Sequence, residues 1–154
     1  SIIISVSTLD EAKRKLIEPN APPTLARMKM LRQFSQLGFK TGVLFMPIIP
    51  YISDDATNLD MIFKLTKEYN LGPILTGALH LRGQTKGVFY DFLRNAFPEL
   101  LPKYQTLYKS GSVARDYRIK LSNKIKTLRK KYNLYDKYQL SKPTNKHWTQ
   151  LNLL

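Results

Sequence analysis

The stretch from Lys40 to Ser53, KTGVLFMPIIPYIS, constrains the fold most strongly. Its apolar part, GVLFM, predicts a buried strand that runs into a turn bounded by Pro47 and Pro50. A helical pattern precedes this strand over residues 24–38, and another follows it over residues 58–70. A helix, an apolar strand, a loop and a second helix in succession are typical of a parallel sheet with crossover helices.

The same alternation continues on both sides of this stretch. Residues 1–7, SIIISVS, form an apolar β-branched run that predicts a strand buried on both faces. Residues 73–81, PILTGALHL, predict a third strand, and a helical pattern follows it over residues 85–97. Residues 1–97 therefore predict an α/β fold of three consecutive βα units with parallel strands. Three such units form about half of a (βα) barrel or a minimal open sheet, and we favour the partial barrel.

Single residues add local predictions to this outline. Asp10 and Thr24 are predicted helix N-caps, and Gly38 is predicted to end the helix that precedes the central strand. His80 lies in the third apolar run, so we expect a core histidine with a hydrogen-bond partner.

The C-terminal third differs in composition. Residues 98–132 predict a helical extension, and residues 133–154 predict an irregular tail. The chain carries a net charge of +14, with 13 Lys and Arg against 2 Asp and Glu in residues 101–154. Residues 1–100 are nearly balanced, with 12 basic against 9 acidic side chains. The basic part indicates either a polyanionic partner such as nucleic acid, or a solvated lysine-rich surface.

Absent residue types exclude several functional classes. The chain has no cysteine, so it can form no disulfide, no cysteine–zinc site and no iron–sulfur cluster by itself. No apolar run reaches the roughly 18 residues of a membrane span. A short apolar N-terminus without flanking basic residues is not a signal peptide. We therefore expect a cytoplasmic protein with no membrane partner.

Five motifs in a fixed order resemble a known family. They are SVSTLD at residues 5–10, EPNAP at residues 18–22, Arg27 on the next helix, GVLFMPIIP at residues 42–50, and Leu81-Arg82 after the third strand. This order resembles the second half of the radical S-adenosylmethionine proteins of the DNA repair photolyase-like group, relatives of spore photoproduct lyase. Met46 stands where the family pattern has Ala, Tyr51 stands where it has Gly, and Asp54 fits its acidic position.

The resemblance implies a parent enzyme with S-adenosylmethionine and a [4Fe–4S] cluster as cofactors. The parent would cleave S-adenosylmethionine reductively and act on DNA. Because this chain has no cysteine, the cluster-binding N-terminal half would be missing, and we expect neither cofactor on this chain alone. The missing half would then be the natural partner. The alternative is a small non-catalytic basic nucleic-acid-binding protein.

The resemblance also suggests cofactor-binding positions at the strand ends. Ser5 and Ser7 could bind the ribose or carboxylate of S-adenosylmethionine, or bond to backbone instead. Arg27 could bind a carboxylate, although pairing with Glu18 is the favoured expectation. Pro47 and Ile48 could line the adenine pocket or simply pack.

A second set of residues could contact substrate or nucleic acid. Arg82, at the end of the third strand, could bind a substrate phosphate or be a solvated turn residue. The amphipathic helix predicted over Val113–Tyr132 carries basic residues on its polar side, and aromatic residues follow it. The nucleic-acid candidates in this segment are Arg118, Lys120, Lys124, Lys131 and Tyr135.

Two further features of the chain predict partners. QLNLL at residues 150–154 resembles the short peptides that dock on DNA sliding clamps, and a disordered tail is the alternative. A partial barrel leaves strand edges and an inner sheet face uncovered, so we expect self-association through one of them.

Overall fold

The computed structural model describes residues 1–134. Each strand in this part of the chain is followed by at least one helix. The elements are β1 (Ile2–Ser5), α1 (Glu11–Ile17), α2 (Thr24–Gln36), β2 (Thr41–Ile48), α3 (Ala56–Glu68), β3 (Ile74–Ala78), α4 (Gln84–Ala96), a 3₁₀ turn (Pro98–Leu100), α5 (Leu101–Leu107) and α6 (Arg115–Tyr132).

The strands form a parallel sheet in the order β1-β2-β3. Ile4 pairs with Val43 of β2, and Val43 pairs in turn with Ile74 of β3. The sequence prediction of an α/β fold with parallel strands alternating with helices and a C-terminal helix is confirmed. The predicted central strand matches β2, which also contains a cis peptide bond between Met46 and Pro47.

Helices pack on one face of the sheet. The main core joins apolar side chains of the sheet to those of α2, α3 and α6; its members include Val43, Phe45, Met28, Leu31, Ile62, Phe63 and Ile125. The opposite face stays open to solvent at Ile3 and Met46, which are 47% and 37% exposed. The prediction that the first strand is buried on both faces is therefore wrong, because a one-sided helical layer buries only alternate residues.

A second apolar cluster lies at the carboxyl end of the sheet. It joins the loops after β2 and β3 to α4, α5 and the loop before α6; its most deeply buried members are Ile52, Leu81, Leu93, Tyr104 and Tyr108. The helical extension thus packs against the strand-end loops, while α6 also contributes Leu121 and Ile125 to the main core.

The helix ends follow local chemistry with one exception. Asp10 caps α1, since its carboxylate accepts hydrogen bonds from the amides of Ala12 and Lys13. Gly38 follows α2 with φ +86°, a conformation that glycine adopts without strain. The Thr24 prediction is wrong, because Pro23 occupies the N-cap position and Thr24 is the first helical residue.

Candidate functional site

The buried Asn58 ties together the loops that follow β1 and β2. Its Nδ2 donates to the carbonyl oxygens of Ser53 at 2.7 Å and Ser7 at 3.3 Å. Its Oδ1 accepts the amide of Leu9 at 2.9 Å. One side chain at the start of α3 therefore satisfies backbone groups of both loops, which would otherwise be buried without partners.

Arg27 secures the end of β1. Its Nη2 donates to Glu18 Oε2 at 2.6 Å and to Thr24 Oγ1 at 3.2 Å, and its Nη1 donates to the Ser5 carbonyl oxygen at 2.7 Å. The predicted pairing with Glu18 is confirmed. Because both terminal nitrogens already bond inside the protein, this guanidinium does not fit a role as the clamp for a ligand carboxylate.

The four other strand-end candidates differ in accessibility. Ser5 is exposed at the end of β1, whereas Ser7 is 1% exposed. The Ser7 hydroxyl has no hydrogen-bond partner within residues 1–134. Pro47 is exposed and Ile48 is fully buried. Ser5 and Pro47 are therefore the two of these side chains that a solute could reach directly.

Tyrosine hydroxyls bind the loops that follow β2 and β3. Tyr104 donates to the Pro50 carbonyl oxygen at 2.6 Å, and Tyr108 donates to the Leu79 carbonyl oxygen at 2.8 Å. The two rings stack with centroids 5.6 Å apart and planes 9° from parallel. Burial raises the pKa of both phenols, so both remain proton donors across the neutral range.

A third tyrosine hydroxyl connects α6 to the loop after β2, at the carboxyl end of the sheet. Tyr117 donates to Asp54 Oδ2 at 2.6 Å. Burial, and then this hydrogen bond to a carboxylate, raise the pKa of Tyr117. Sequence reasoning missed the roles of Asn58, Tyr104, Tyr108 and Tyr117. The available signal was a tyrosine at an apolar helical position, where burial requires a partner for the hydroxyl.

The turn after β3 is solvated. His80 is exposed and lies beyond the end of β3, so the prediction of a core histidine is wrong. The strand is shorter than its apolar run, because its last paired residue is Ala78. Arg82 is also exposed, and its aliphatic carbons pack closely against Gly111, so a side chain at residue 111 would require Arg82 to move.

The basic residues of α6 lie on both sides of its buried stripe. At about 100° per residue, Lys120, Lys124 and Lys131 fall on one flank, and Arg115, Arg118 and Arg129 fall on the other. The first flank faces α3, where Lys131 Nζ pairs with Asp60 Oδ1 at 2.6 Å. The candidates Arg118, Lys120 and Lys124 are exposed, and Tyr135 lies outside the described residues.

The second flank runs beside β3, the edge strand of the sheet. Arg129 Nη2 donates to the Ile74 carbonyl oxygen at 3.2 Å and to Thr76 Oγ1 at 3.1 Å. Burial lowers the pKa of Arg129, which stays charged at neutral pH. The predicted exposed edge is thus covered at Ile74 by a side chain of α6, a common way to protect an edge strand.

Asp60 is the acidic partner of the first flank. Its carboxylate also accepts the Tyr132 hydroxyl at 2.9 Å. The hydrogen bond from Lys131 holds the pKa of Asp60 below its ordinary value and raises the pKa of Lys131. This contact attaches the end of α6 to α3 and removes one of the nucleic-acid candidates from the set of unpaired cations.

Within residues 1–134, no group of three His, Cys, Asp or Glu side chains could hold a metal ion. No helix of this part of the chain is both long and apolar enough to cross a membrane.

Comparison with known proteins finds relatives of unknown activity. The chain is 27% identical over 144 residues to the uncharacterized proteins Mb2609c of Mycobacterium bovis and Rv2578c of Mycobacterium tuberculosis. These matches cover 93% of this chain and 42% of each relative. The chain is also 36% identical over 83 residues to the uncharacterized protein ORF301 of Acidianus two-tailed virus, with 52% of this chain and 28% of that protein covered. No family model and no solved structure matches the chain.

Proposed function

We propose that this chain is the C-terminal part of a barrel enzyme of the radical S-adenosylmethionine type, with DNA as its substrate. The carrying observation is the arrangement of the sheet. The strands follow one another in sequence order, and α2 and α3 pack on the same face. A barrel has this arrangement, whereas a doubly wound sheet reverses its strand order and carries helices on both faces.

The open sheet face supports a partial barrel. Ile3, Ser5 and Met46 are exposed on it, and this is the face that points inward when a sheet closes into a barrel. The chain spans less than half the length of its mycobacterial relatives. We propose that the remaining strands of the longer protein cover this face. Self-association of the isolated chain through the same face is the corresponding expectation when those strands are missing.

The conformation of Tyr51 also supports the resemblance. Its φ is +63°, in the left-handed region that residues other than Gly, Asn and Asp seldom adopt. The family pattern has glycine at this position. Tyr51 therefore has the left-handed backbone conformation that glycine adopts most easily, although the residue here is a tyrosine.

The residues of this chain fit the two cofactors unequally. A [4Fe–4S] cluster does not fit, because the chain has no cysteine. For S-adenosylmethionine, Ser5 offers an accessible hydroxyl and Pro47 an accessible ring, whereas Arg27 bonds internally and Ser7 is buried. The contribution of this chain would be to shape the strand-end loops and to bind the substrate.

The test is anaerobic purification of the product of the complete reading frame. We expect an upstream CxxxCxxC motif, a brown protein with [4Fe–4S] absorption, and release of 5′-deoxyadenosine from S-adenosylmethionine under reducing conditions. A product whose mass equals the 17.8 kDa of this chain, without iron, would contradict the enzyme proposal.

A second candidate function is nucleic-acid binding without catalysis. The carrying observation is the charge of α6, where Asp116 is the one acidic residue among eight Lys and Arg side chains. Lys and Arg neutralise phosphates, so binding should weaken steeply with salt. Titration of labelled DNA at several salt concentrations tests this candidate. An affinity that does not change with salt concentration would contradict it.

A further inference from the structure

Two adjoining cavities lie beside the first half of α6. One has a volume of about 300 Å³ and lies between α6 and the end of β3. The other has a volume of about 450 Å³ and lies between the start of α6 and the end of α5. Ser112, Val113 and Arg118 line both, so the two cavities are neighbours, and together they are called the β3–α6 groove. Both volumes fall within the range of roughly 300–1,000 Å³ that is usual for ligand pockets.

The half of the groove next to β3 is mainly apolar. Its walls come from the end of β2, β3, the loop before α6 and the inner side of α6; the apolar members are Ile48, Gly77, Ala78, Val113, Leu121 and Ile125, and Thr76 and Arg129 also line it. The exposed His80 and the Ser122 hydroxyl stand at its rim. Apolar walls with an imidazole at the rim suit a planar aromatic base, which can stack and also accept or donate hydrogen bonds.

The other half is cationic. Lys109, Arg115 and Arg118 line it together with the hydroxyl-bearing Ser110 and Ser112. Within the described residues, no Asp or Glu lines either cavity. Asp116 is turned about 200° around α6 from Arg118, on the far side of the helix. The charge and the hydroxyl groups suit a phosphate.

We infer that the β3–α6 groove binds one nucleotide unit, with the base against the apolar walls and the phosphate on Arg115, Arg118 and Lys109. The two halves are adjacent, and Arg118 is common to both, as a single ligand with an apolar and an anionic end requires. If the nucleotide is part of a nucleic-acid strand, this inference rests on the proposed nucleic-acid-binding function. A free nucleotide offers the same chemistry.

The test blocks the groove from an exposed helical position. Ser122 is exposed on α6 and lines the apolar half, so Ser122→Trp should fill the cavity without disturbing the core. The matched control is Asn123→Trp, which places the same side chain on the neighbouring exposed position away from the groove. Circular dichroism and urea unfolding of both variants confirm that each is folded.

Two ligands are titrated, a labelled single-stranded oligonucleotide and an unlabelled deoxynucleoside monophosphate. We expect Ser122→Trp to lower the affinity for both ligands about tenfold or more, which is the scale of losing one stacked base. Asn123→Trp should leave both affinities within about twofold of those of the natural chain. Arg118→Ala should weaken strand binding and lower the magnitude of its salt slope by about 0.7, the value for one phosphate on a single strand.

The outcomes separate the groove from the function on which it rests. If the strand binds and Ser122→Trp has no effect, the groove inference is overturned while nucleic-acid binding stands. If the monophosphate alone binds and Ser122→Trp blocks it, the groove stands as a free-nucleotide site and the nucleic-acid proposal fails. Binding of neither ligand overturns both. Equal competition by polyglutamate would also overturn the inference, because it would show general anion binding.

Discussion

The strand-end loops and α6 are both rich in polar side chains, but they use them differently. At the strand ends, Asn58 and Arg27 direct their donors to groups of the protein itself. On α6, Arg115, Arg118 and Lys120 are exposed, and they take part in none of the ion pairs described within residues 1–134. Polar residues at the carboxyl ends of these strands therefore mainly fix the loops, whereas on α6 the charged side chains of Arg129 and Lys131 bond to the sheet and to α3, and the charges of Arg115, Arg118 and Lys120 remain available to a partner.

The largest expected effect comes from the centre of the loop network. Asn58→Ala leaves the Leu9 amide and the Ser53 carbonyl without their partner, and buried unsatisfied groups cost about 1–3 kcal/mol each. We expect the free energy of unfolding to fall by about 3 kcal/mol in urea titration. Asn123→Ala on the exposed side of α6 is the control. Equal stability of the two variants would remove the proposed role of Asn58.

Arg27 distinguishes a structural from a ligand-binding role. We expect Arg27→Ala to lower the free energy of unfolding by about 2 kcal/mol, because it removes hydrogen bonds to Glu18 and the Ser5 carbonyl. Arg27→Lys should recover little, since an ammonium group lacks the fork-shaped donors. Lys29→Ala, an exposed position on the same helix, is the control. An unchanged unfolding midpoint for Arg27→Ala would favour a ligand-binding role instead.

Tyr117 connects the two regions, so its effect should be intermediate. Tyr117→Phe removes the hydrogen bond to Asp54 and should cost about 1 kcal/mol at neutral pH. The folded pKa of Tyr117 is raised above the ordinary 10.0, so its contribution to stability is complete below pH 10 and is lost as pH rises above that value. Stability measured from pH 7 to pH 11 should therefore fall less steeply in the variant than in the natural chain. Identical slopes would contradict this assignment.

The smallest effect is expected where α6 meets α3. Asp60→Asn removes a largely exposed ion pair with Lys131, so the loss at neutral pH should be slight. The folded pKa of Asp60 is depressed, so its contribution is present above the ordinary 3.8 and is lost as pH falls below it. The variant and the natural chain should thus converge in acid. A difference that persists at pH 2 would indicate another cause.

The sequence predicted the fold class because hydrophobic periodicity reports directly on secondary structure. The strand at residues 42–46 and the helix stop at Gly38 were predicted from local chemistry, and both are present. Burial of the first strand was predicted wrongly, because how many sheet faces are covered depends on packing that no local pattern records. The burial of His80 was predicted wrongly for a related reason, since strand pairing ends at Ala78 although the apolar run continues.

The candidate site was less predictable, because hydrogen-bond partners are distant in sequence. Tyr104 and its acceptor Pro50 lie 54 positions apart, and Asn58 and Ser7 lie 51 apart. The basic helix was predicted from the helical spacing of its apolar residues and from the Lys and Arg residues between them. Its division into a flank beside α3 and a flank beside β3 required the position of its buried stripe relative to the sheet.

The most direct measurement is a set of backbone amide NMR spectra of the chain, titrated with a single-stranded oligonucleotide. We expect shifts along the β3–α6 groove, at His80, Ser112, Arg118 and Ser122, with little change at Ser7, Arg27 or Asn58. Shifts concentrated at the strand-end loops, with the α6 amides unmoved, would contradict the division of roles between the two regions.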